Sequence, residues 1–221
     1  MIREWILEML FPPKCILCGK LLEGSETDLC RICRVESPWC DKNNLKFSFL
    51  DSWAAVWYYK GNIRKSLHRY KFRNAQHYAS AYGRFMAMKL MREYPEGFDI
   101  LTWIPVSRWR KFTRGYDQVE LLAEAVGREL EMKPVRTLEK IRNNRPQSRI
   151  SGAAKRRANV LGIYRLTDSN PLEGKRILLL DDIITTGATA GECAQVLLTG
   201  GAKEVHLGCI AAALHHNQDK R

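Results

Sequence analysis

Hydrophobic and polar positions between residues 53 and 212 repeat with two periods, which indicate strands and helices. Short apolar runs rich in β-branched and aromatic residues predict strands. Longer stretches with an apolar residue at every third or fourth position predict amphipathic helices. The predicted strands are 53–59, 99–105, 135–138, 163–166, 177–180 and 205–212, and the predicted helices are 63–72, 79–94, 117–130 and 190–199.

The order of these elements predicts the fold class. Strands that alternate with helices at this spacing are typical of a parallel, doubly wound α/β sheet with helices on both faces. The run 177–180, Ile-Leu-Leu-Leu, is continuously apolar, as expected of a central strand. Asp117 stands where a side chain would cap the helix over 117–130. We therefore predict a doubly wound α/β domain.

The first 44 residues follow a different pattern. Residues 1–11 predict a short amphipathic helix, which Pro12 and Pro13 would stop. Five of the seven cysteines then fall within residues 15–40. We predict two units: residues 1–44, a helix followed by a cysteine-rich head, and residues 45–221, the α/β domain.

Four cysteines of the head have the spacing of a metal site. They form C-x2-C, an eleven-residue gap and a second C-x2-C. Two such turns can close a tetrahedron of thiolates around zinc, and a four-thiolate site leaves no open position for substrate. Disulfides and an iron–sulfur cluster are the alternatives. We predict a small zinc-ribbon element with structural Zn2+, held by Cys15, Cys18, Cys30 and Cys33.

The other three cysteines have different expected roles. Cys40 is a spare that could replace one of the four ligands or pack in the core beside Trp39. Cys193 and Cys209 stand in apolar surroundings of a predicted helix and a predicted strand. We expect both of them to be core residues.

The chain is strongly basic, with a formal net charge of +12 at pH 7. Residues 52–92 contain nine Lys or Arg and no acid, and residues 140–159 contain seven more and no acid. Such blocks attract polyanions, whether nucleotide phosphates or a nucleic acid. The plainer alternative is a solvated basic surface, and charge alone does not choose between these.

Nothing in the sequence indicates a membrane protein. No stretch approaches the ~18 uncharged apolar residues that a membrane span needs. Residues 1–11 are apolar but contain two glutamates and lack a small-residue cleavage site, which argues against a secretory signal. We therefore expect a cytoplasmic protein.

The segment 177–189 carries the candidate chemistry. An apolar strand is expected to deliver Asp181 and Asp182 to its carboxyl end, where α/β sheets bind ligands. The loop that follows opens a helix, and its N–H groups and hydroxyls suit a phosphate, while the carboxylates suit the hydroxyls of a sugar. This combination predicts a site for ribose 5-phosphate. The predicted phosphate loop consists of Thr185, Thr186, Gly187, Ala188 and Thr189.

This segment resembles the signature of the type I phosphoribosyltransferases: an apolar run, two acids and a Thr-Thr-Gly-x-Thr loop. The whole chain from Cys15 to Ala212 is similar to the ComF competence family, which joins a cysteine-rich zinc head to a phosphoribosyltransferase domain. The resemblance implies that Asp181 and Asp182 hold the ribose hydroxyls and that residues 185–189 hold the 5-phosphate of phosphoribosyl pyrophosphate. It also implies the type I fold.

A second element of the resemblance is the stretch from Pro105 to Gln118. It is similar to the Pro-x-x…Arg-Gly-(Phe/Tyr)-Asn-Gln element of the family, with Asp117 at the position of the usual asparagine. The resemblance implies a pyrophosphate loop at Val106, Ser107 and Arg108. Fixed cations and Mg2+ would lower the barrier to loss of pyrophosphate. The candidate cations near this loop are Arg108, Arg110, Lys111 and Arg114, with solvent or nucleic-acid contact as their alternative.

Residues 141–158 form a long basic stretch between two predicted strands. This stretch could fold over the ligand as a lid, with Arg142, Arg145 and Arg149 reaching the pyrophosphate, or it could be a plain surface loop. Trp109, between two arginines, could stack on a nucleic-acid base or lie in the core.

Two functions follow from these expectations. The first is a phosphoribosyltransferase that binds phosphoribosyl pyrophosphate with Mg2+ and transfers the sugar to an unknown acceptor. The second is a factor that handles single-stranded DNA and in which the nucleotide pocket is regulatory. The resemblance to ComF proteins implies single-stranded DNA and a competence helicase as further partners.

Overall fold

The computed structural model of the protein describes residues 12–41, 45–142, 162–167 and 171–213. The predicted helix at 1–11 lies outside these residues, as does the predicted lid beyond Arg142. None of the described helices combines the length and the apolar composition needed to cross a membrane. The described helices are α1 (Arg31–Glu36), α2 (Gly61–Phe72), α3 (Tyr78–Glu93), α4 (Arg108–Arg114), α5 (Gln118–Glu129) and α6 (Ala188–Thr199). The strands are β1 (Ser52–Tyr58), β2 (Ile100–Trp103), β3 (Leu138–Lys140), β4 (Tyr164–Leu166), β5 (Arg176–Ile184) and β6 (Glu204–Ala212).

Four strands form the predicted parallel sheet, in the order β1-β6-β5-β2. On one face, Leu178 and Leu180 of β5 pack in a core that α2, α3 and α5 share. On the other face, Ile177 and Leu179 pack in a core that α6 shares. Because β5 is an inner strand covered on both faces, its apolar run needs no polar alternation. The doubly wound α/β fold is therefore confirmed.

The strands β3 and β4 depart from the prediction. They pair with each other in antiparallel fashion and form a separate two-stranded sheet. The first of them was expected at 135–138 but begins at Leu138. In the expected range, the Val135 N–H instead donates to the carbonyl of Leu101 in β2, and the hydroxyls of Thr137 and Thr102 lie 2.7 Å apart. These contacts attach the extended segment to the sheet edge before the short ladder starts.

Helix α4 was not predicted: only a loop was expected at Val106, Ser107 and Arg108, and no element was assigned to the residues that follow. The helix begins after Ser107, whose hydroxyl accepts from the N–H of Arg110, and ends at Gly115, which has φ of 78°. These are ordinary signals for the start and the end of a helix. They were not sufficient for a prediction because Trp109 and Phe112 are exposed, so the stretch lacks a buried apolar face.

The cysteine head packs against α2 and α3. Leu17 and Leu29 of the head are fully buried in the core that lies under these helices. The guanidinium of Arg84 in α3 donates to both carboxylate oxygens of Asp28, at 2.9 and 2.5 Å. The division at residue 44 stays a prediction, but the two proposed units share one hydrophobic core.

Candidate functional site

The four predicted ligand cysteines come together. Their sulfur atoms all lie within 4.8 Å of one another, and the Sγ atoms of Cys18 and Cys30 are 3.6 Å apart. Four thiolates around zinc at about 2.3 Å place their sulfurs about 3.8 Å apart, so the cluster fits a tetrahedral metal. A disulfide would need about 2.05 Å, and all seven cysteines are free. The disulfide alternative is therefore wrong.

Local structure prepares this cluster for a metal. Cys30 is the N-cap of α1, and its sulfur accepts from the N–H of Cys33 at 3.5 Å. Burial acts to raise the pKa of Cys15, but the N–H groups of Cys18, Cys30 and Leu17 outweigh it and lower that pKa to about 7. Cys18 is half-buried and its three partners are buried. A closed four-sulfur cluster of this kind is compatible with a structural metal, because it offers no place for a substrate.

The remaining cysteines lie elsewhere. Cys40 is buried outside the cluster, and its sulfur contacts the carbonyl of Asp41 at 3.6 Å. It therefore packs in the core and does not replace a ligand. Cys193 and Cys209 are fully buried, which confirms them as core residues.

The sequence had predicted the two signature acids at the carboxyl end of the strand. In the structure they instead lie within β5. The strand continues to Ile184, and Asp181 is paired in register with Cys209 of β6. Successive residues of a strand point to opposite faces. The Asp182 side chain points to the face that carries α2 and α5. Asp181 faces the α6 side, where burial and, after it, the proximity of Asp181 raise the pKa of Cys193.

Two side chains hold the carboxylate of Asp182. The Lys71 ammonium lies 2.8 Å from Oδ1, and Nε2 of Gln118 donates to Oδ2 at 3.1 Å. Arg114 in turn donates from Nη1 to Oε1 of Gln118 at 2.7 Å. This chain of contacts joins α2, α4 and α5 to the signature strand. The sequence interpretation gave Lys71 no role in the site.

Asp181 has a different environment. Its carboxyl is half-buried, and Oδ1 accepts from the N–H of Asp182 at 2.7 Å. Burial, and after it the charge of Asp182, raise the pKa of Asp181 to about 8, although the nearby charge of Lys71 opposes this. Around neutral pH the Asp181 carboxyl therefore carries a proton, and a neutral carboxyl can both donate to and accept from a sugar hydroxyl.

The predicted phosphate loop connects β5 to α6. Gly187 is the N-cap of α6 with φ of 71°, a conformation that glycine adopts without strain. The structure gives a further reason for glycine here, because a Cβ would lie 2.2 Å from Cδ1 of Phe47. Thr186 accepts weakly from the N–H of Ala188, at 3.4 Å. The threonines of residues 185–189 are half-buried, so the first turn of α6 stays accessible beside the acids.

The predicted pyrophosphate loop follows β2, which lies next to β5, so both loops emerge from the same edge of the sheet. Asp117 fixes this loop: Oδ2 accepts from the N–H of Val106 at 3.2 Å, and Oδ1 accepts from Val119 and Glu120 at the start of α5. Burial raises the pKa of Asp117. Asp117 thus serves as the predicted cap, and because both of its oxygens accept, an asparagine with its single acceptor oxygen could make only part of these contacts.

The basic residues after this loop divide into two groups. Arg114 is part of the contact chain to Asp182, whereas Lys111 pairs with Glu120 on the surface at 2.6 Å. Ser107 and Arg108 form the cap and the first residue of α4. The expectation that Trp109 could lie in the core is wrong, because Trp109 is 66% exposed. Phe112 on the same helix is 86% exposed.

Comparison with known proteins connects this geometry to characterised sequences. Residues 120–221 match the phosphoribosyl transferase domain family. The chain is 32% identical over 190 residues to competence protein ComFC of Bacillus subtilis, which covers 85% of this chain and 72% of that protein. It is 28% identical over 156 residues to the DNA utilization protein YhgH of Escherichia coli O157:H7, which covers 67% of this chain and 66% of that protein. Among solved structures, glutamine phosphoribosylpyrophosphate amidotransferase from B. subtilis matches with a TM-score of 0.42 and 20% identity, over 63% of this chain and 30% of that one.

Proposed function

This chain belongs to the ComF competence family and has a phosphoribosyl transferase domain of the type I α/β fold, and from that membership we propose that it binds phosphoribosyl pyrophosphate with Mg2+. The observation that carries the proposal is the meeting of three elements at one sheet edge. These are the acids of β5, the accessible first turn of α6 and the loop that Asp117 fixes at Val106.

Each element suits one part of this ligand. The N–H groups and hydroxyls of residues 185–189, at the positive end of α6, suit the 5-phosphate. Asp181 and Asp182 suit the ribose hydroxyls. The loop at Val106, Ser107 and Arg108, with Arg114 behind it, suits the diphosphate.

The residues at this edge also fit a hard cation. Mg2+ takes oxygen ligands and keeps several waters, and with phosphates it neutralises their charge. Oδ2 of Asp181 has no hydrogen-bond partner among the residues that the structure describes. That oxygen, which is half-buried at the sheet edge, is a suitable acceptor for a water of the hydrated ion.

The proposed reaction is transfer of the phosphoribosyl group. The bond from C1 of the ribose to the diphosphate breaks, the diphosphate leaves with the electron pair, and an acceptor forms the new bond to C1. The acceptor is not specified by any contact at the site. Fixed cations near the leaving group act by stabilising the charge that develops on it.

Isothermal titration with Mg2+ and phosphoribosyl pyrophosphate tests the proposal. We expect saturable binding to the native protein and a loss of at least tenfold in affinity for the variant Asp181→Asn/Asp182→Asn. The expected loss follows from removing charged or strongly polar hydrogen bonds, each worth about 1.5–3 kcal/mol.

A matched control replaces the same number of carboxylates elsewhere. The double variant Glu124→Gln/Glu129→Gln changes the exposed part of α5, away from its capped start, and should bind as the native protein does. Absence of binding to the native protein would refute the proposal. Equal affinity for the native protein and the aspartate variant would refute the assignment of the site.

A second candidate function, the handling of single-stranded DNA, is favoured by the surface of α4. Trp109 and Phe112 are three positions apart on one helix and largely exposed. Phe72 of α2 is 59% exposed. The centre of its ring lies 4.8 Å from the guanidinium of Arg114, the last residue of α4. Exposed rings among cations are the arrangement on which unpaired bases stack. In this function the nucleotide pocket is regulatory.

Fluorescence anisotropy with a labelled thymidine oligonucleotide tests this candidate. We expect Trp109→Ala/Phe112→Ala to lose about tenfold or more in affinity, because stacking on each ring is worth about 1–3 kcal/mol. The slope of affinity against salt should stay the same, since no cation is removed. The control is Met88→Ala/Met91→Ala, which removes exposed apolar side chains from α3. Equal affinities of the two variants, or no binding at low salt, would exclude the candidate.

A further inference from the structure

Lys71 is a fixed cation in the candidate ligand site. It lies in the last turn of α2, and its ammonium is 2.8 Å from Oδ1 of Asp182. The Lys71 side chain is 19% exposed and that of Asp182 8%. A charge pair that is shielded from water to this degree is screened less by salt than a surface pair. Lys71 therefore keeps a defined position at the edge where β5 approaches its end.

Contacts from two sides place α2, which carries this lysine. In the cysteine head, the carbonyl oxygens of Ile16 and Leu17 accept from Nη2 of Arg69 at 2.9 and 2.8 Å, and Ile16 also accepts from the hydroxyl of Ser66. On the opposite side, the Tyr70 hydroxyl donates to the carbonyl of Gln118 at 2.5 Å. The head and α5 together fix the end of α2 that projects Lys71.

The charge balance of the site requires such a cation. Asp181, Asp182 and Asp117 lie near one another at this edge, and each of these carboxyls that is ionised repels a ligand that carries phosphates. An ammonium has three donor hydrogens. Among the described residues, Asp182 is the hydrogen-bond partner of Lys71, so donors remain for a ligand.

Resting on the proposed function, we propose that Lys71 is a substrate-binding residue of the phosphoribosyl site. Its ammonium contacts the diphosphate of phosphoribosyl pyrophosphate while it keeps its contact with Asp182. The assignment connects the cysteine head to ligand binding, since the head holds the helix that delivers the ammonium.

The test separates the ligand into its two halves. Titrations use phosphoribosyl pyrophosphate, inorganic pyrophosphate and ribose 5-phosphate, each with Mg2+. For Lys71→Met we expect a loss of about tenfold to hundredfold in affinity for the first two ligands, as for removal of one charge-assisted hydrogen bond. The affinity for ribose 5-phosphate should fall by less than about threefold, because this ligand has no diphosphate and so loses no charge-assisted hydrogen bond from Lys71. Lys71→Arg should retain most of the pyrophosphate affinity.

Lys65→Met is the matched control, because Lys65 is exposed on the same helix. It removes the same charge and should bind all three ligands as the native protein does. Since Lys71→Met leaves the Asp182 carboxylate without its cation, a second pair of variants protects the test against misfolding. Asp182→Asn should retain pyrophosphate affinity, and Lys71→Met/Asp182→Asn should lose it.

The outcomes distinguish the two levels of the proposal. Absence of binding of phosphoribosyl pyrophosphate to the native protein refutes the proposed function and this inference with it. Native binding with unchanged pyrophosphate affinity in both Lys71 variants refutes the inference alone. An equal loss for pyrophosphate and ribose 5-phosphate also refutes it, because Lys71 would then act only through Asp182.

Discussion

Removal of the metal should unfold the cysteine head and reduce the free energy of unfolding of the protein by more than about 5 kcal/mol, since structural zinc sites contribute ~10–16 kcal/mol to the folding of small zinc domains. The same loss is expected for Cys15→Ser/Cys33→Ser, which removes one ligand from each cysteine pair. Calorimetric melting with and without a chelator measures the effect. Mass spectrometry under native conditions should find about one zinc per chain, and none in the variant.

The physical reason is that the head cannot fold by its own hydrophobic core. A segment of this length buries too little apolar surface to offset its loss of conformational entropy. Of the described head residues, Ile16, Leu17 and Leu29 are the buried aliphatic ones, and they pack under α2 and α3. When the head unfolds, these residues are exposed, and the carbonyl acceptors of Ser66 and Arg69 are lost.

Cys40→Ser is the matched control. Cys40 is a buried cysteine close to the head but outside the four-sulfur cluster. The substitution should cost stability through burial of a hydroxyl, about 1–3 kcal/mol, yet leave the zinc content unchanged. A chelator that leaves the melting temperature of the native protein unaltered, or equal zinc loss in both variants, would contradict the assignment of the metal site.

The sequence predicted those parts of the fold that depend on local patterns. The continuous apolar run of β5 indicated an inner strand, because only a strand covered on both faces tolerates it. The cap of α5 by Asp117 was predicted from position alone, and the structure confirms it with bonds from Val119 and Glu120. The cysteine spacing likewise indicated a cluster, since each pair lies on one turn.

The parts that were missed depend on contacts between distant residues or on the surface. Lys71 and Asp182 are 111 positions apart, and no local pattern indicates which lysine of a basic block meets a signature acid. The opposite orientations of Asp181 and Asp182 follow from the continuation of β5 beyond them, which depends on pairing with β6. Helix α4 has its start and end signals but exposes its large apolar residues.

The raised pKa of Asp181 has a consequence for stability. Burial raises this pKa first and the charge of Asp182 second, to about 8 from the 3.8 that the group has when exposed. Between these two pH values the folded protein holds a proton that the unfolded chain releases. The folded state therefore loses stability as the pH rises through this window, and above about pH 8 the full cost of an ionised, buried carboxylate is present. The site retains an acid that weakens the fold.

Replacement of this acid should stabilise the protein in a pH-dependent manner. For Asp181→Asn we expect little change in the free energy of unfolding near pH 4 and a gain on the order of 2–5 kcal/mol at pH 9, since each pKa unit corresponds to about 1.4 kcal/mol. Urea unfolding at several pH values measures it. Lys140 titrates in the same range, with a pKa lowered by burial to about 8, and the charge of Asp181 raises that pKa, so part of the difference between the two proteins at pH 9 comes from this neighbour. Glu124→Gln, on the exposed surface of α5, should show no such gain. A gain that stays constant with pH, or a variant less stable than the native protein at pH 9, would show that Asp181 is already ionised in the fold. Among the described residues, Lys71 would then be the cation in direct contact with the two charges of the signature strand, through Asp182.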